Sequence, residues 1–204
     1  MLLIWWARRA PRLFRGFHDE PIHPIANMTH IADMLEFNGY ALEEHIVRTI
    51  DGWLLGIHRI PSGRAMPDEE EDTVVRSDIQ QSFGVTLPTV DPNAERKPAV
   101  LLWHGFMMNS EVWVAHPERK KVLAYQLADL GYDVWMGNVR GNKYSCKHTR
   151  YRPSDIAFWD FCLDDFAMVD VPAVVDVASL LDDAVGKKSS LEDSIFWHAQ
   201  IYLR

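Results

Sequence analysis

The feature that most constrains the fold is a short apolar run at residues 99–106, which reads Ala-Val-Leu-Leu-Trp-His-Gly-Phe. It follows Lys97-Pro98 and is broken by His104-Gly105, so it predicts a strand that is buried on both faces and stops at a sharp turn. In open α/β sheets ligands bind at the carboxyl ends of strands, and a glycine there lets backbone N–H groups approach the ligand closely. The turn at Gly105 is therefore the first candidate for a functional site.

The segment after this strand predicts a crossover helix and a second buried strand. Pro117 is placed to open the helix, apolar residues from Leu123 onward share one face of it, and Gly131 is a typical stop. The run Tyr-Asp-Val-Trp-Met-Gly at 132–137 predicts the second strand. A strand, helix, strand unit of this kind is right-handed, with its strands parallel. The sequence therefore predicts the α/β class.

Composition and charge exclude several classes of function. The 204 residues carry a formal net charge of −8, whereas nucleic-acid-binding proteins present a clustered basic excess, so no nucleic-acid partner is expected. Cys146 and Cys162 are the only cysteines, and they provide neither a disulfide framework nor the spacing of a zinc site. The nine histidines include no His-Glu-x-x-His motif. We expect no metal and no cofactor.

Residues 1–19 form a basic N-terminal segment with two interpretations. Trp5 and Trp6 precede four arginines, a pattern typical of an interfacial anchor or of the end of a membrane segment. The six residues before Ala7 are too few to span a bilayer, which takes about 20 apolar residues. A solvated N-terminus fits the same residues, and both interpretations stay open.

Asp51-Gly52 predicts a tight hairpin within residues 43–60. A two-residue turn would pair Ile46 with Ile57 and bring His45 opposite His58, which we interpret as a structural cross-strand pair. The next stretch, residues 61–98, contains an acidic run and several prolines and is predicted to be a long loop.

A polar turn follows the second buried strand. Its asparagines can tie loops together through side-chain to backbone hydrogen bonds, and its arginine can pair with nearby carbonyls or carboxylates. We favour this role over catalysis. The residues predicted to structure the two turns are His104, Gly105, Asn138, Arg140, Gly141 and Asn142.

Taken together, these stretches resemble the acid lipase branch of the α/β-hydrolases, which includes gastric and lysosomal acid lipases and fungal steryl ester hydrolases. The resemblance covers residues 20–177, and the basic N-terminus and acidic insertion are more similar to the fungal membrane-associated members. It implies an α/β fold, the N-terminal part of an α/β-hydrolase with an incomplete sheet: a β-hairpin, then parallel strands with crossover helices. The matching stretches are the hairpin 44–60, Leu101-Leu-Trp-His-Gly-Phe106, Leu127-Ala-Asp-Leu-Gly-Tyr-Asp-Val-Trp-Met-Gly-Asn-Val-Arg-Gly-Asn-Lys-Tyr-Ser145, Lys147-His-Thr149 and Phe158-Trp-Asp-Phe161.

The resemblance implies hydrolysis of neutral lipid esters, triacylglycerols or steryl esters, by a Ser nucleophile with an Asp and a His. One oxyanion-hole N–H in this fold comes from the loop after the third strand, and by match it is the backbone N–H of Phe106. The side chains of Phe106, Met107, Met108 and Trp113 would contact the acyl chain, with core packing as the alternative for the methionines. The implied partner is a neutral lipid ester or a lipid surface. Location at a membrane or lipid droplet is favoured over a soluble or secreted state.

The catalytic triad itself is not found in the sequence. No Gly-x-Ser-x-Gly nucleophile elbow occurs, and Ser189 and Ser190 lack flanking glycines. The resemblance stops near Val177, so residues 178–204 are interpreted as a divergent tail, and their pattern assigns them no place in a sheet. We expect a truncated lipase that is inactive alone. The alternatives are a non-catalytic lipid- or membrane-binding module and a product without function.

Overall fold

The structure, a computed structural model, describes residues 23–64, 69–84, 86–87, 90, 97–183 and 195–198. Within these ranges the strands are β1 (Glu43–Arg48), β2 (Trp53–Ile60), β3 (Ala99–Trp103), β4 (Asp133–Met136), β5 (Lys147–His148) and β6 (Ile195–His198). The α-helices are α1 (Ile31–Asn38), α2 (Glu69–Phe83), α3 (Leu123–Asp129), α4 (Leu163–Asp165) and α5 (Val171–Asp183). A π-helical turn, Phe166–Asp170, joins α4 to α5, and short 3₁₀ turns lie at Pro24–Asn27, Ser110–Trp113, Arg119–Lys121 and Ile156–Trp159.

The strands form one mixed sheet in the order β1-β2-β4-β3-β6, with β5 paired to β2. β3 and β4 run parallel, with Leu101 beside Trp135, and α3 lies between them in the chain. The hairpin β1-β2 joins this pair through an antiparallel contact of β2 with β4. The predicted α/β class and the predicted strand, helix, strand unit are therefore confirmed.

Both faces of the sheet are covered at β3, so all of its side chains can be apolar. Val100 and Leu102 belong to a core shared with α1 and α3, whereas Leu101 belongs to a second core with Phe158 and Val174. Successive side chains of a strand point to opposite faces, so each face of β3 needs its own apolar residues. Two-sided coverage explains the continuous apolar run in the sequence.

The hairpin turn is one residue longer than predicted. The Thr49 N–H donates to the Trp53 carbonyl over 2.9 Å, so residues 50–52 form a three-residue loop. Gly52, at the end of this loop, has a left-handed φ of 103°. A type I turn followed by a left-handed glycine is a common hairpin connection, and Asp-Gly suits it as well as the two-residue turn.

The longer turn shifts the register of the hairpin by one residue. His45 pairs with Ile57 and Glu44 pairs with His58. The predicted pairings of Ile46 with Ile57 and of His45 with His58 are therefore wrong. Because side chains alternate between faces, a one-residue shift changes which of them are buried, and Ile46 is exposed while His58 is buried.

Part of the predicted loop 61–98 is a helix. α2 begins within the acidic run, where Asp72 pairs with Arg76 one turn later over 2.7 Å. On its other face Ile79 is buried against the core. Acidic side chains are favourable in the first turn of a helix, where they face the positive end of the helix dipole. The loop prediction is therefore wrong for residues 69–83.

The helix between the parallel strands starts later than predicted. α3 begins at Leu123 rather than at Pro117, because Arg119–Lys121 form a separate 3₁₀ turn. Its C-terminal end is followed by Gly131, whose left-handed φ of 91° fits the predicted stop.

The predicted tail, residues 178–204, contributes to the fold in two places. α5 continues to Asp183, and β6 pairs in parallel with β3, with His198 beside Trp103. The sequence pattern placed no part of this tail in a sheet, whereas the structure pairs residues 195–198 with β3. A four-residue strand is too short for its periodicity to be read from sequence. As a result of this pairing, the carboxyl ends of β3 and β6 are neighbours.

Among the described helices, none is both long and apolar enough to cross a membrane. The predicted anchor segment at residues 1–19, as well as Ser189 and Ser190, lies outside the described residues.

Candidate active site

β3 ends at a turn whose shape depends on a buried histidine. His104 Nε2 accepts hydrogen bonds from the Val139 N–H at 3.3 Å and from the Asn142 side chain at 3.2 Å. The ring proton is therefore on Nδ1, which donates to the Gly105 carbonyl at 2.8 Å. Burial lowers the pKa of His104, which keeps the ring neutral and preserves these bonds. The loop after β3 is thereby fastened to the loop after β4.

Two asparagines add further bonds between these loops. Asn142 Nδ2 donates to Asn138 Oδ1 at 2.8 Å, and Asn142 Oδ1 accepts from two backbone N–H groups of its own loop. Asn138 Oδ1 also accepts from the Ser110 N–H at 2.9 Å, and its Nδ2 donates to the Gly56 carbonyl at 2.9 Å. Asn138 thus connects β2, the loop after β3 and the loop after β4.

Arg140 is buried in an ion-pair network beside the second loop. Its guanidinium donates to Asp170 at 2.7 and 2.9 Å and to Asp51 at 2.5 Å, and it lies 5.4 Å from the centroid of the Trp53 ring. Burial alone would lower the pKa of Arg140, but the bonds to both carboxylates raise it. The next residue, Gly141, has a left-handed φ of 79°, and a Cβ there would meet an aromatic ring at 2.8 Å.

The tip of the turn after β3 exposes apolar side chains and contains a backbone N–H that has no acceptor among the described residues. Phe106 is 60% exposed and Met107 is 88% exposed. Met107 has a left-handed φ of 60°, which costs a non-glycine residue about 1–2 kcal/mol. The Met108 N–H closes the turn by donating to the Gly105 carbonyl at 3.2 Å. In the part of the chain that the structure describes, no protein group accepts a hydrogen bond from the Phe106 N–H.

Trp113 occupies a different environment from the exposed tip. It is half-buried and packs against the core that includes α1 and α3. Its indole N–H is buried and has no acceptor among the described residues. Of the four side chains predicted to contact an acyl chain, Phe106, Met107 and Met108 are exposed at the turn, whereas Trp113 packs on the core.

Comparison with known protein families matches two overlapping parts of the chain. A family model described as a partial α/β-hydrolase lipase region matches residues 31–117, and the α/β-hydrolase fold model matches residues 98–188. The two matches overlap at β3 and the turn that follows it. The chain carries a partial α/β-hydrolase lipase region.

Individual relatives of this lipase region are named lipases. A protein named probable lipase from Schizosaccharomyces pombe is 39% identical over 155 residues, which cover 76% of this chain and 28% of the relative. Lipase member K of Homo sapiens is 39% identical over 154 residues, 76% of this chain and 32% of the relative. Gastric triacylglycerol lipase of Rattus norvegicus is 35% identical over 156 residues, 76% of this chain and 33% of the relative. The chain thus spans about a third of the length of the curated relatives it matches.

In α/β-hydrolases one oxyanion-hole N–H comes from the loop after the third strand. The other donor in that fold is the residue after the nucleophile, at a strand-to-helix turn. Here β3 is the third strand and Phe106 lies in the loop after it, while β6 ends beside β3. The 204-residue sequence contains no Gly-x-Ser-x-Gly motif.

Ser110 and His58 are in contact behind the turn. No sequence pattern indicated either of them as a site residue. Ser110 Oγ is 2.8 Å from His58 Nδ1, and His58 Nε2 is 3.6 Å from a carboxylate oxygen of Glu44. The Ser–His distance is that of a nucleophile and its base, whereas the His–Glu distance is longer than a hydrogen bond. However, Ser110 is 0% exposed and His58 is 2% exposed, so an ester cannot reach the hydroxyl. Only the observed hairpin register, which places His58 inside, could have drawn attention to this pair.

The described residues contain no group of three or more His, Cys, Asp and Glu side chains arranged to hold a metal ion. Cys146 is half-buried and Cys162 is exposed, and both are free thiols.

Replacing Gly56 by Ala should destabilise the packing of β2 against the loop after β4. A Cβ on Gly56 would lie 2.6 Å from the Tyr144 carbonyl oxygen, and a backbone atom cannot swing away as a side chain can. We expect the free energy of unfolding, measured by urea denaturation, to fall by about 1–3 kcal/mol. Ile46→Ala is the matched control, because Ile46 pairs with Gly56 across the hairpin but is exposed, and its change should stay within about 0.5 kcal/mol. Equal losses of unfolding free energy in the two variants would contradict the close approach of Gly56 to the Tyr144 carbonyl.

Proposed function

We propose that this chain forms the oxyanion side of a lipase that hydrolyses neutral lipid esters, either triacylglycerols or steryl esters. The observation that carries the proposal is the Phe106 N–H, which has no acceptor among the described residues and lies at the carboxyl end of β3, next to the carboxyl end of β6. In the tetrahedral intermediate of ester hydrolysis, this N–H would donate to the oxygen that was the ester carbonyl. The names of the relatives, including gastric triacylglycerol lipase, support the substrate class.

The exposed side chains of the turn are the proposed contact surface for acyl chains. Phe106, Met107 and Met108 are apolar, and unbranched methionines adapt to irregular apolar ligands. Trp113 is the fourth proposed member, supporting the same loop from the side of the core. In this proposal His104 and the asparagines of the second loop hold the turn and do not take part in the chemistry.

By itself the chain is proposed not to hydrolyse esters. A single oxyanion-hole donor without the nucleophile and its base supplies at most a small residual rate. The one serine in contact with a histidine among the described residues is enclosed.

A fluorophosphonate probe, which reacts with activated serines, should therefore leave the purified chain unlabelled, and tributyrin hydrolysis should stay at the buffer rate. A gastric lipase labelled in the same assay is the positive control, and Ser110→Ala is the matched variant. Labelling that disappears in Ser110→Ala would contradict the enclosure of Ser110. Labelling that persists in this variant would reveal a nucleophile elsewhere and overturn the proposal of inactivity.

A second candidate function is a non-catalytic lipid-binding module, which the exposure of Phe106 and Met107 favours. Sequencing the transcripts of the gene separates the two candidates. A transcript in which β6 is followed by Gly-x-Ser-x-Gly, with an Asp and a His further on, should encode a protein that hydrolyses tributyrin. If every transcript lacks these elements, the lipase proposal is overturned and the module remains.

The full chain should bind triolein emulsions through the exposed turn. Replacing both Phe106 and Met107 by Ser removes two apolar side chains from the lipid contact, and we expect bound protein to fall about tenfold in a flotation assay. Val74→Ser is the control, because Val74 is an exposed apolar residue on α2, away from the turn in the chain. The lipid contact proposed for the turn is wrong if the wild type does not bind or if the double variant binds equally well.

A further inference from the structure

His58 and the turn that carries Phe106 are connected by a buried hydrogen-bond network. The Ser110 hydroxyl donates to His58 Nδ1 at 2.8 Å. Asn138 Nδ2 lies 3.2 Å from Ser110 Oγ and 3.4 Å from His58 Nδ1, and Asn138 Oδ1 accepts from the Ser110 N–H. All three side chains are buried. Ser110 begins the 3₁₀ turn directly after Asn109, so its position limits where the preceding turn can lie.

The donors around His58 determine which of its nitrogens carries the proton. The Ser110 hydroxyl and the Asn138 amide both approach Nδ1, so Nδ1 is the acceptor and the proton is on Nε2, which faces Glu44. A second proton, on Nδ1, would face the Asn138 N–H and leave the Ser110 hydroxyl without its acceptor. The network therefore needs a neutral His58.

A second route leads from the same network to the turn. Asn138 Oδ1 accepts from Asn142 Nδ2, and that amide also donates to His104 Nε2. His104 in turn donates to the Gly105 carbonyl, which also accepts from the Met108 N–H. The residues before and after Phe106 are thus both connected to Asn138.

We propose that His58 is a positioning residue for the oxyanion turn: by accepting from Ser110, and by keeping Ser110 and Asn138 in contact, it holds the loop that presents the Phe106 N–H. The inference rests on the proposed oxyanion role of Phe106. Its test measures the loop itself and not hydrolysis, so a failure here is distinguishable from a failure of the lipase proposal.

Four ionisable groups interact with His58 or lie against its ring, from β1, from the 3₁₀ turn after β3, from the residue before α1 and from the loop after β4, whereas β4 places the uncharged Met136 beside it. They are Glu44 on β1, Glu111 on the 3₁₀ turn after β3, His30 before α1 and Tyr144 from the loop after β4. Burial outweighs these neighbours and lowers the pKa of His58 to about 4, with His30 acting in the same direction and Glu111 against it. The neutral acceptor is therefore the form present from neutral pH down to about pH 4.

Hydrogen exchange on the full chain tests the proposal at neutral pH. His58→Leu removes the acceptor, so amide exchange at Met108 and Ser110 should become about tenfold faster relative to the strand amides of Leu102 and Val134. His58→Gln retains an acceptor oxygen and should restore most of the protection. Ser110→Ala removes the donor while keeping His58, and it should reproduce the local effect if His58→Leu does not fold.

The control is His45→Leu, since His45 lies on the same hairpin but contacts Glu43 outside this network. It should leave the relative exchange rates of the turn unchanged. If His58→Leu raises the amide exchange rates of the turn and of the strands equally, the variant has lost stability in general and the positioning role is overturned. The proposal also fails if His58→Gln exchanges as fast as His58→Leu.

Discussion

Replacing Arg140 by Met should lower the free energy of unfolding by about 3–5 kcal/mol, as measured by urea denaturation. The substitution leaves the Asp170 carboxylate, which is 0% exposed, without its cation. It also removes the contact with Asp51 and the packing on the Trp53 ring. A buried charge that loses its partner keeps its desolvation cost without the compensating attraction, so the loss is much larger than that from a surface pair.

Two further variants separate this effect from a general loss of packing. Asp51→Asn breaks the outer end of the same network, where the carboxylate is 40% exposed, and should cost at most about 1 kcal/mol. The double variant Arg140→Met/Asp170→Leu removes both charges and should be more stable than Arg140→Met alone. If Arg140→Met lowers the free energy of unfolding by no more than Asp51→Asn does, the buried ion pair does not stabilise the fold as we expect.

Acidification from pH 7 to pH 4 should remove about 3 kcal/mol of stability through His58 alone. Burial lowers the pKa of His58 from 6.5 to about 4 in the folded chain. Between these values the unfolded chain binds a proton that the folded chain does not. The contribution of His58 is therefore fully present above about pH 6.5 and is lost progressively as the pH falls toward 4.

The His58→Gln variant isolates this contribution. Carboxylates titrate in both proteins, so they cancel when the unfolding free energy of the variant is subtracted from that of the wild type at each pH. That difference should become smaller by about 3 kcal/mol between pH 7 and pH 4. If the unfolding free energies of the wild type and His58→Gln change in parallel with pH, the lowered pKa of His58 is refuted.

Some residues of the candidate site could be located from the sequence, whereas their hydrogen-bond partners could not. The turn residues His104 and Phe106 could be located from sequence because they follow a continuous apolar run, which marks the end of a buried strand. The chemical character of Asn138 and Arg140 also pointed to loop-structuring bonds. Their partners could not be located in this way, because the Arg140–Asp170 pair spans 30 positions and the His58–Ser110 pair spans 52.

Two errors at the edges of the sheet have different physical causes. The hairpin register was wrong because Asp-Gly suits both a two-residue and a three-residue turn, and the choice between them comes from which residues the sheet buries. The strand β6 was missed because four residues carry little periodic signal, while the unpaired edge of β3 supplies the hydrogen bonds that order them.

The sequence by itself determined the α/β class, the parallel pair β3-β4 and the turn after β3, because these depend on apolar periodicity and on glycine, which are local properties of the chain. The tertiary structure alone decided that His58 lies behind that turn, that Ser110 is enclosed, and that the Phe106 N–H is unpaired among the described residues. Those features depend on contacts between residues far apart in the chain, and no local pattern encodes which distant partner completes a hydrogen bond.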